Sequence, residues 1–178
     1  KNIFQIHSSN YKNSEELPEG DVMVVGSGQS GAQIAEDLLD SGKKVWLAVS
    51  KCGRRPRRYR GKDSSWWNYE MGSFNKTVKD VPFKDRWSCS SHTSGSKGGH
   101  DINLLDLHER GLKLCGSIKD CKDKFVYINN DLYKNIKFSD EHALNWAKNV
   151  DKYIKNTKLM APKEEILPDL RIEKTSLQ

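Results

Sequence analysis

The chain has 178 residues and a formal net charge of +6, with 30% charged and 35% hydrophobic residues. This length supports one domain with its own core, and the composition fits an α/β unit with long polar segments better than a dense helical bundle. No run of about 18 apolar residues occurs, so we expect no membrane-spanning helix and no membrane partner. The first residues lack the charged and apolar regions of a secretory signal, which predicts a cytoplasmic protein.

The first predicted elements make up a β-α-β unit. Residues 22–25 form a short β-branched run, which is typical of a buried strand, and residues 44–49 form a second strand. Between them, residues 29–41 change to a helical period. The inner helical face carries Ala32, Ala35, Leu38 and Leu39, and the outer face carries Gln33, Glu36, Asp37 and Asp40. This order predicts two parallel strands with a right-handed crossover, with strand 22–25 at the centre of the sheet.

The rest of the chain carries further elements with weaker patterns. Residues 64–100 are a long excursion of weak periodicity, in which we expect a short helix near 66–71. Beyond it, the pattern predicts a helix at 102–110 capped by Asp101, strands at 112–115 and 125–128, and a helix capped by Ser139 that runs to about 156. The predicted fold class is therefore α/β, a Rossmann-like parallel sheet flanked by helices, with a small antiparallel excursion.

The strongest motif is Gly26-Ser27-Gly28-Gln29-Ser30-Gly31, which matches G-x-G-x-x-G between the first strand and the helix. The first glycine permits a tight turn, the second lets a pyrophosphate approach the backbone, and the third lets the helix pack closely on the strand. Backbone amides and the dipole at the helix start then bind the diphosphate. The next residues, Ala32-Gln33, match neither a Walker A loop nor a nucleophile elbow. The motif therefore predicts a dinucleotide site; the alternative is a purely structural glycine turn.

The residues at the end of the second strand indicate which dinucleotide binds. NAD and FAD sites usually place Asp or Glu there, to bind the ribose hydroxyls. Here Ser50 and Lys51 occupy that place, with Arg54 and Arg55 just beyond. Hydroxyl and cationic groups attract a 2′-phosphate that a carboxylate would repel. Ser50, Lys51 and Arg54 therefore predict NADPH rather than NADH; the alternative is a solvated basic loop.

Several segments together resemble the flavin-containing monooxygenase superfamily, in particular its bacterial flavoprotein branch. They are His7-Ser8-Ser9-x-Tyr11, Val-Val-Gly-Ser-Gly-Gln-Ser-Gly at 24–31, Cys52-Gly53-Arg54-Arg55-Pro56-Arg57-Arg58-Tyr59-Arg60-Gly61, Trp66-Trp67, and Ser94-Gly95-Ser96-Lys97-Gly98-Gly99-His100-Asp101-Ile102-Asn103. The likeness covers nearly the whole chain. It departs from the superfamily at the start, where Lys1 and Ile3 stand in place of Phe-x-Gly before the histidine.

The resemblance implies that the chain is the second of two dinucleotide-binding domains, the one that holds NADPH. It implies that residues 1–20 are an interdomain linker, 21–159 the NADPH-binding Rossmann-like domain, and 160–178 a return segment towards an FAD-binding domain of the same parent chain. NADPH would deliver a hydride to FAD, which activates oxygen to oxidise a small-molecule substrate. Because the FAD motifs are not in this sequence, we expect the 178 residues alone to bind NADPH weakly and to be inactive.

The resemblance also assigns roles to particular residues. Residues 26–31 would hold the pyrophosphate, and Ser50 and Lys51 the 2′-phosphate. His7 and Tyr11 would lie near the junction between the domains. No residue is assigned as catalytic, because the flavin supplies the chemistry.

Two other functions stay open. A different FAD- and NADPH-dependent reductase, of the disulfide-reductase type, needs a redox-active cysteine pair. The cysteines are Cys52, Cys89, Cys115 and Cys121, and no two of them are close in sequence, so reduced thiols are expected. The other alternative is a non-enzymatic or severed NADP-binding module.

Metal and nucleic-acid binding are both disfavoured. Cys89-x-x-His92 with His100 lacks the second pair of ligands that a structural zinc site needs, so no metal is predicted. The arginine-rich run 54–60 lies in no recognisable nucleic-acid-binding fold, so no nucleic-acid partner is predicted. Trp66 and Trp67 are expected to pack in the core.

Overall fold

The computed structural model describes residues 3–171, which form seven strands and four α-helices. The β-α-β unit consists of β1 (Val22–Val25), α1 (Gln29–Asp40) and β2 (Val45–Ala48). Further along the chain lie β3 (Arg58–Tyr59), β4 (Lys62–Asp63), α2 (Ser64–Glu70), α3 (Leu104–Glu109), β5 (Lys113–Cys115), β6 (Ile118–Lys122), β7 (Phe125–Ile128) and α4 (Leu132–Thr157). A parallel sheet flanked by helices, with two small antiparallel sheets, confirms the predicted α/β, Rossmann-like class.

The parallel sheet has three strands in the order β1-β2-β5. β1 pairs with β2 from Val22 opposite Val45 to Val25 opposite Ala48, and β5 pairs with the other edge of β2. The prediction that strand 22–25 is central is therefore wrong for the sheet that residues 3–171 form. Met23 and Val25 are accordingly 38% and 67% exposed. A β-branched run indicates a strand, but it does not show which strand finds a partner on both edges.

Two apolar clusters hold the elements together. The larger combines α1, the parallel sheet and α3, and includes the fully buried Ala35, Leu38 and Leu47. The smaller joins the excursion to α4 and includes Tyr59 and Trp67. Trp67 is wholly buried, and its Nε1 donates a hydrogen bond to the carbonyl of Tyr59 at 2.6 Å. The excursion is therefore packed onto the domain, and the predicted core position of Trp67 is confirmed.

The cap of α3 differs from the prediction. The helix begins at Leu104, and its cap is Asn103, whose side chain accepts a hydrogen bond from the amide of Leu105. Asp101 instead accepts a hydrogen bond from the amide of Arg57, which joins this part of the chain to the arginine-rich run 54–60, called the basic run below. Both residue types can cap a helix, so the sequence alone did not distinguish them.

Two elements in the second half extend beyond the prediction. α4 begins at Leu132, because Leu132 and Ile136 continue its buried face, and Ser139 is a buried residue inside the helix rather than its cap. β6 was not predicted, because it consists mostly of exposed charged residues; it pairs with β7 in an antiparallel hairpin. No helix within residues 3–171 is long and apolar enough to cross a lipid bilayer.

The predicted outer face of α1 is partly covered. Glu36 was expected to face solvent, but it is only 8% exposed. Nε2 of His100 lies 2.8 Å from its carboxylate, and Arg110 lies 4.0 Å away. Lys97 and Arg110 both form ion pairs with Asp40, one turn further on. The helical period places Glu36 opposite the apolar stripe, but it does not show that the excursion folds over that face.

Candidate nucleotide-binding site

The turn between β1 and α1 needs glycine at its first and last positions. Gly26 has a φ of +92°, a backbone conformation that residues with a Cβ rarely adopt. At Gly31, a Cβ would lie 2.0 Å from the carbonyl oxygen of Gly26, so the helix can approach the strand only because this residue is glycine. These positions serve the tight turn and the close helix–strand packing that the motif predicts.

Gly28, in contrast, is not required by the fold. Its φ of −65° and ψ of −179° are angles that any residue adopts. The nearest described atom to an added Cβ is Cβ of Cys89 at 3.7 Å, which is an ordinary van der Waals contact. The missing side chain therefore leaves open space at the start of α1. In a G-x-G-x-x-G turn, this is where a pyrophosphate approaches the backbone.

The start of α1 offers backbone donors to this space. The helical hydrogen bonds begin with the amide of Ala32, which donates to the carbonyl of Gly28 at 2.9 Å. The amides of residues 29–31 therefore have no acceptor within the helix. The first turn carries no acidic side chain, so the positive end of the helix dipole is not compensated there. These features together favour a phosphate group.

The ends of β1 and β2 are joined beside the turn. The hydroxyl of Ser27 donates to the carbonyl of Ser50 at 2.9 Å, and the amide of Ser50 donates back to that hydroxyl at 3.0 Å. The amide of Ser27 also donates to the hydroxyl of Ser50, at 3.4 Å. Ser50, predicted as a phosphate ligand, therefore also fixes the glycine-rich turn against the second strand.

Residues 89–94, which we name the wall segment, run along the turn. Cys89 lies beside Gly28, at the contact described above. Nε2 of Gln33, on α1, donates to the carbonyl of Thr93 at 3.0 Å. Sequence reasoning missed this segment, because its residues were predicted to belong to an irregular excursion. Its contribution to the site depends on contacts between residues far apart in the chain.

His92 of the wall segment holds the carbonyl of Ser27. The side chain is 1% exposed, and its Nε2 donates to that carbonyl. A carbonyl oxygen can only accept, so Nε2 carries the proton. Burial keeps the pKa of His92 below its usual range, so the ring is neutral near pH 7. The only sequence signal was the spacing Cys89-x-x-His92, which pointed to a metal rather than to support of the turn.

The predicted phosphate-binding cations differ in accessibility. Lys51 is exposed, and its ammonium group lies 4.5 Å from the ring centre of Phe138. Arg54 forms an ion pair with Asp140 of α4, in which the side chains are 14% and 7% exposed. The Arg54 guanidinium could bind a 2′-phosphate only if this pair opened. Lys51 is therefore better placed than Arg54 to meet a phosphate from solvent.

Three further arginines of the basic run, residues 54–60, contribute to the fold. Arg57 pairs with Asp63 at 2.7 Å, Arg58 donates to the carbonyls of Gly98 and Gly99 at 2.8 Å each, and Arg60 pairs with Asp151 at 2.8 Å. These contacts join the run to β4, the excursion and α4. The run is thus held within the structure and is not a solvated loop.

Residues 2–107 match the family described as L-lysine 6-monooxygenase/L-ornithine 5-monooxygenase. The match covers more than half of the chain and includes the glycine-rich turn and the wall segment. The chain belongs to this family. Membership of this flavin-dependent N-hydroxylating monooxygenase family confirms the predicted likeness to flavin monooxygenases.

Two bacterial proteins share part of the sequence of this family member. It is 42% identical over 74 residues to "Uncharacterized oxidoreductase CzcO-like" of Geobacillus kaustophilus (strain HTA426), covering 41% of this chain and 21% of that protein. It is 44% identical over 72 residues to "Uncharacterized oxidoreductase CzcO" of Bacillus subtilis (strain 168), covering 40% and 21%. The match thus spans about a fifth of the length of these curated relatives. No solved structure is significantly similar to the chain.

Two cysteines of this family member that are far apart in sequence lie on neighbouring backbone segments in the fold. Sγ of Cys52 lies 3.3 Å from the carbonyl of Ser90, the neighbour of Cys89, and Sγ of Cys89 lies 3.7 Å from the carbonyl of Lys51, the neighbour of Cys52. Both are free thiols in the structure. Spacing along the chain could not show this arrangement, because the wall segment pairs with the residues that follow β2 although it lies about forty residues further along the chain.

The residues before β1 lie along α1. The hydroxyl of Tyr11 donates to the carboxylate of Asp37. His7 is exposed and forms a hydrogen bond with the hydroxyl of Ser9 at 2.8 Å. Tyr11, Asp37 and Ser30 border an open cleft beside the first turns of α1. The assignment of His7 and Tyr11 to a domain junction stays a prediction.

The residues considered for zinc have different partners. Cys89 contacts the carbonyl of Lys51, His92 contacts Ser27, and His100 contacts Glu36. Within residues 3–171, no group of three or more His, Cys, Asp or Glu side chains is arranged to hold a metal ion. These side chains serve the packing of the wall segment and the excursion.

Proposed function

We propose that this chain binds NADPH at the glycine-rich turn and delivers its hydride to FAD in a flavin-dependent monooxygenase. Gly28 carries the proposal. The fold needs glycine at Gly26 and Gly31, but a Cβ at Gly28 would meet no obstacle in the protein. A side chain is nevertheless missing at the position where a pyrophosphate would need the space.

The surrounding residues support the same ligand. Residues 26–31 supply backbone amides and the positive end of α1 for the pyrophosphate. Ser50 and Lys51 follow β2, where the adenosine ribose lies in such folds, and they would bind its 2′-phosphate. Arg54 would add to that site only by leaving Asp140. When FAD is bound in the parent protein, it accepts the hydride and activates oxygen.

The organisation of the parent protein is part of the proposal. Residues 1–20 would be a linker, 21–159 the NADPH-binding domain, and 160–178 a return segment to an FAD-binding domain of the same polypeptide. The first part of that segment lies on the domain, since the hydroxyl of Tyr59 donates to the carbonyl of Glu164 at 3.2 Å. The family description names lysine and ornithine, which supports a small substrate with an amine nitrogen.

The test compares NADPH and NADH binding, measured by calorimetry or by nicotinamide fluorescence. NADPH should bind more tightly than NADH. Lys51→Glu should weaken NADPH binding by roughly 10- to 100-fold, which is about 1.4–2.8 kcal/mol, because it removes an attractive charge and adds a repulsive one. The affinity for NADH should hardly change. Lys148→Glu, which alters an exposed lysine of α4, makes the same change in net charge and should leave both affinities unaltered.

Two outcomes would contradict the proposal. Equal affinities for NADPH and NADH in the unaltered chain would remove the assignment of a 2′-phosphate site to Ser50 and Lys51. If neither nucleotide bound to the folded chain or to the parent protein, the glycine-rich turn would serve only the fold.

A further inference from the structure

A pair of thiols lies beside the glycine-rich turn. The residues after β2 run parallel to the wall segment, where Arg54 and His92 form a bridge. The amide of His92 donates to the carbonyl of Gly53 at 2.9 Å. This pairing holds the two backbones side by side, with Cys52 in one and Cys89 in the other. The two cysteines are therefore held by the fold and do not meet through chain flexibility.

The contacts of the two sulfur atoms show that each points across to the other backbone. Sγ of Cys52 lies 3.3 Å from the carbonyl of Ser90, and Sγ of Cys89 lies 3.7 Å from the carbonyl of Lys51. After burial, the proximity of Cys89 also contributes to raising the pKa of the Cys52 thiol. Each sulfur thus contacts the backbone of the residue next to the other cysteine, which is the side-by-side arrangement that a disulfide between adjacent chain segments needs.

The two cysteines differ in their access to solvent. Cys52 is 2% exposed, whereas Cys89 is exposed. Burial raises the pKa of the Cys52 thiol, so Cys52 stays protonated while Cys89 is the group that a solute reaches first. An exposed cysteine next to a buried one is the arrangement of an attacking and a resolving thiol.

We propose that Cys52 and Cys89 form a reversible disulfide under peroxide, and that a nucleotide bound at the glycine-rich turn controls this oxidation. Cβ of Cys89 lies 3.7 Å from the position of a Cβ on Gly28, so a pyrophosphate at that glycine would cover Cys89. The second half of this proposal rests on the proposed nucleotide site. The first half depends on the two thiols alone.

The reaction proceeds in two steps that balance. Sulfur of Cys89, as the thiolate, attacks one oxygen of hydrogen peroxide; the O–O bond breaks, water leaves after protonation, and Cys89 becomes a sulfenic acid. Sulfur of Cys52 then attacks the sulfenic sulfur; an S–S bond forms, the S–O bond breaks, and a second water leaves with the proton of Cys52. Two thiols and one peroxide thus give one disulfide and two waters.

The experiment is peptide mapping by mass spectrometry after the reduced protein is treated with hydrogen peroxide and its free thiols are alkylated. We expect a peptide that links Cys52 to Cys89 and that disappears on treatment with dithiothreitol. Cys121, an exposed cysteine on β6, supplies the matched control, and Cys121→Ser should leave the link unchanged. Cys52→Ser should leave Cys89 as a sulfenic acid that dimedone traps. Cys52→Ala serves as a second variant, and circular dichroism checks that each variant is folded.

The nucleotide is tested in the same assay. Saturating NADP⁺ should slow formation of the link by about fivefold or more, a typical coupling between two sites. Links that join Cys121 as often as Cys52 to Cys89, or no link at all, would overturn the disulfide. An equal oxidation rate with NADP⁺ bound would overturn the nucleotide control. Absence of NADP⁺ binding to the reduced protein would instead reject the proposed nucleotide site, and the cross-linked peptide would still decide whether the disulfide forms.

Discussion

Replacing two glycines of the turn, Gly28 and Gly31, should have opposite effects on folding and on binding. Gly28→Ala should leave the protein folded and remove nucleotide binding, because its Cβ meets Cys89 at an ordinary distance but enters the space for the pyrophosphate. Gly31→Ala should damage the fold itself, because its Cβ would lie 2.0 Å from the carbonyl oxygen of Gly26. The two variants add the same single methyl group three residues apart.

The expected magnitudes follow from these distances. Overpacking costs roughly 1–3 kcal/mol, and the contact at Gly31 is with backbone, which cannot rotate away, so the upper end applies. In a chain of 178 residues, this lowers Tm by about 6–10 °C. At Gly28, alanine is a poorer N-cap than glycine by about 0.5–1 kcal/mol, and reduced freedom of the unfolded chain offsets about 0.4–1 kcal/mol. Tm of Gly28→Ala should therefore change by no more than about 3 °C.

The assay combines thermal unfolding with NADPH titration. Gly28→Ala should bind NADPH at least about tenfold more weakly, which is about 1.4 kcal/mol, at an almost unchanged Tm. A Gly28→Ala protein that binds NADPH as well as the unaltered chain would refute the reasoning, because Gly28 would then have no role in the ligand site. A Gly31→Ala protein with an unchanged Tm would contradict the inference that the contact between α1 and β1 leaves no room for a Cβ at this position.

Two further predictions concern stability. The Arg171 guanidinium holds the pKa of Asp169 well below its usual range. The stability that this carboxylate contributes is therefore complete above about pH 3.9 and is lost as the pH falls below that value. Asp169→Asn should lower Tm near pH 7 and make Tm fall less steeply in acid, and an unchanged pH profile of Tm would contradict this. Trp67→Phe should lower Tm by about 3–10 °C, because it removes the Nε1 donor to the buried carbonyl of Tyr59 and reduces the size of a buried side chain, at a cost of roughly 1–3 kcal/mol. Trp87→Phe, at an 84% exposed position, is the control and should leave Tm nearly unchanged.

The elements and the turn that the sequence predicts correctly depend on local patterns of residues. The strand at 22–25, the helix from 29 and the strand near 45–48 follow from a change of hydrophobic period within one short stretch. The glycine-rich turn adds a backbone requirement at Gly26 and Gly31 that the structure confirms. Each of these features is determined by residues close together in the chain.

The contacts that the sequence does not predict depend on residues that meet only in the folded chain. Arg54 looks like a phosphate ligand beside β2, but α4 brings Asp140 against it. Glu36 lies on the polar face of α1, but the excursion covers it with His100. Periodicity assigns a side chain to a face of its own element, and it contains no information about what a distant segment places on that face.

The dependence on distant contacts gives a last prediction, on His92. His92→Ala removes the donor to the carbonyl of Ser27 and should destabilise the protein by roughly 1–3 kcal/mol. It should also weaken NADPH binding, because that carbonyl belongs to the glycine-rich turn. His92→Gln should restore part of the affinity, since its amide can donate to the same carbonyl. His108→Ala is the matched control, because the ring of His108 contacts the carbonyl of Leu112 at 2.7 Å, away from the turn.

The pH dependence separates positioning from bulk stability. The pKa of His92 is lowered by burial, so its contribution to stability is full above the ordinary value of about 6.5 and declines as the pH falls below it. In His92→Gln, this part of the decline in Tm should be absent. If His92→Ala lost stability but bound NADPH as tightly as the unaltered chain at a temperature where both are folded, His92 would be a packing residue and the wall segment would have no part in holding the turn. The alternative result is an NADPH affinity that falls in His92→Ala and recovers in His92→Gln, while His108→Ala changes only Tm. In that case the wall segment would be part of the nucleotide site, although it begins about forty residues after the end of β2.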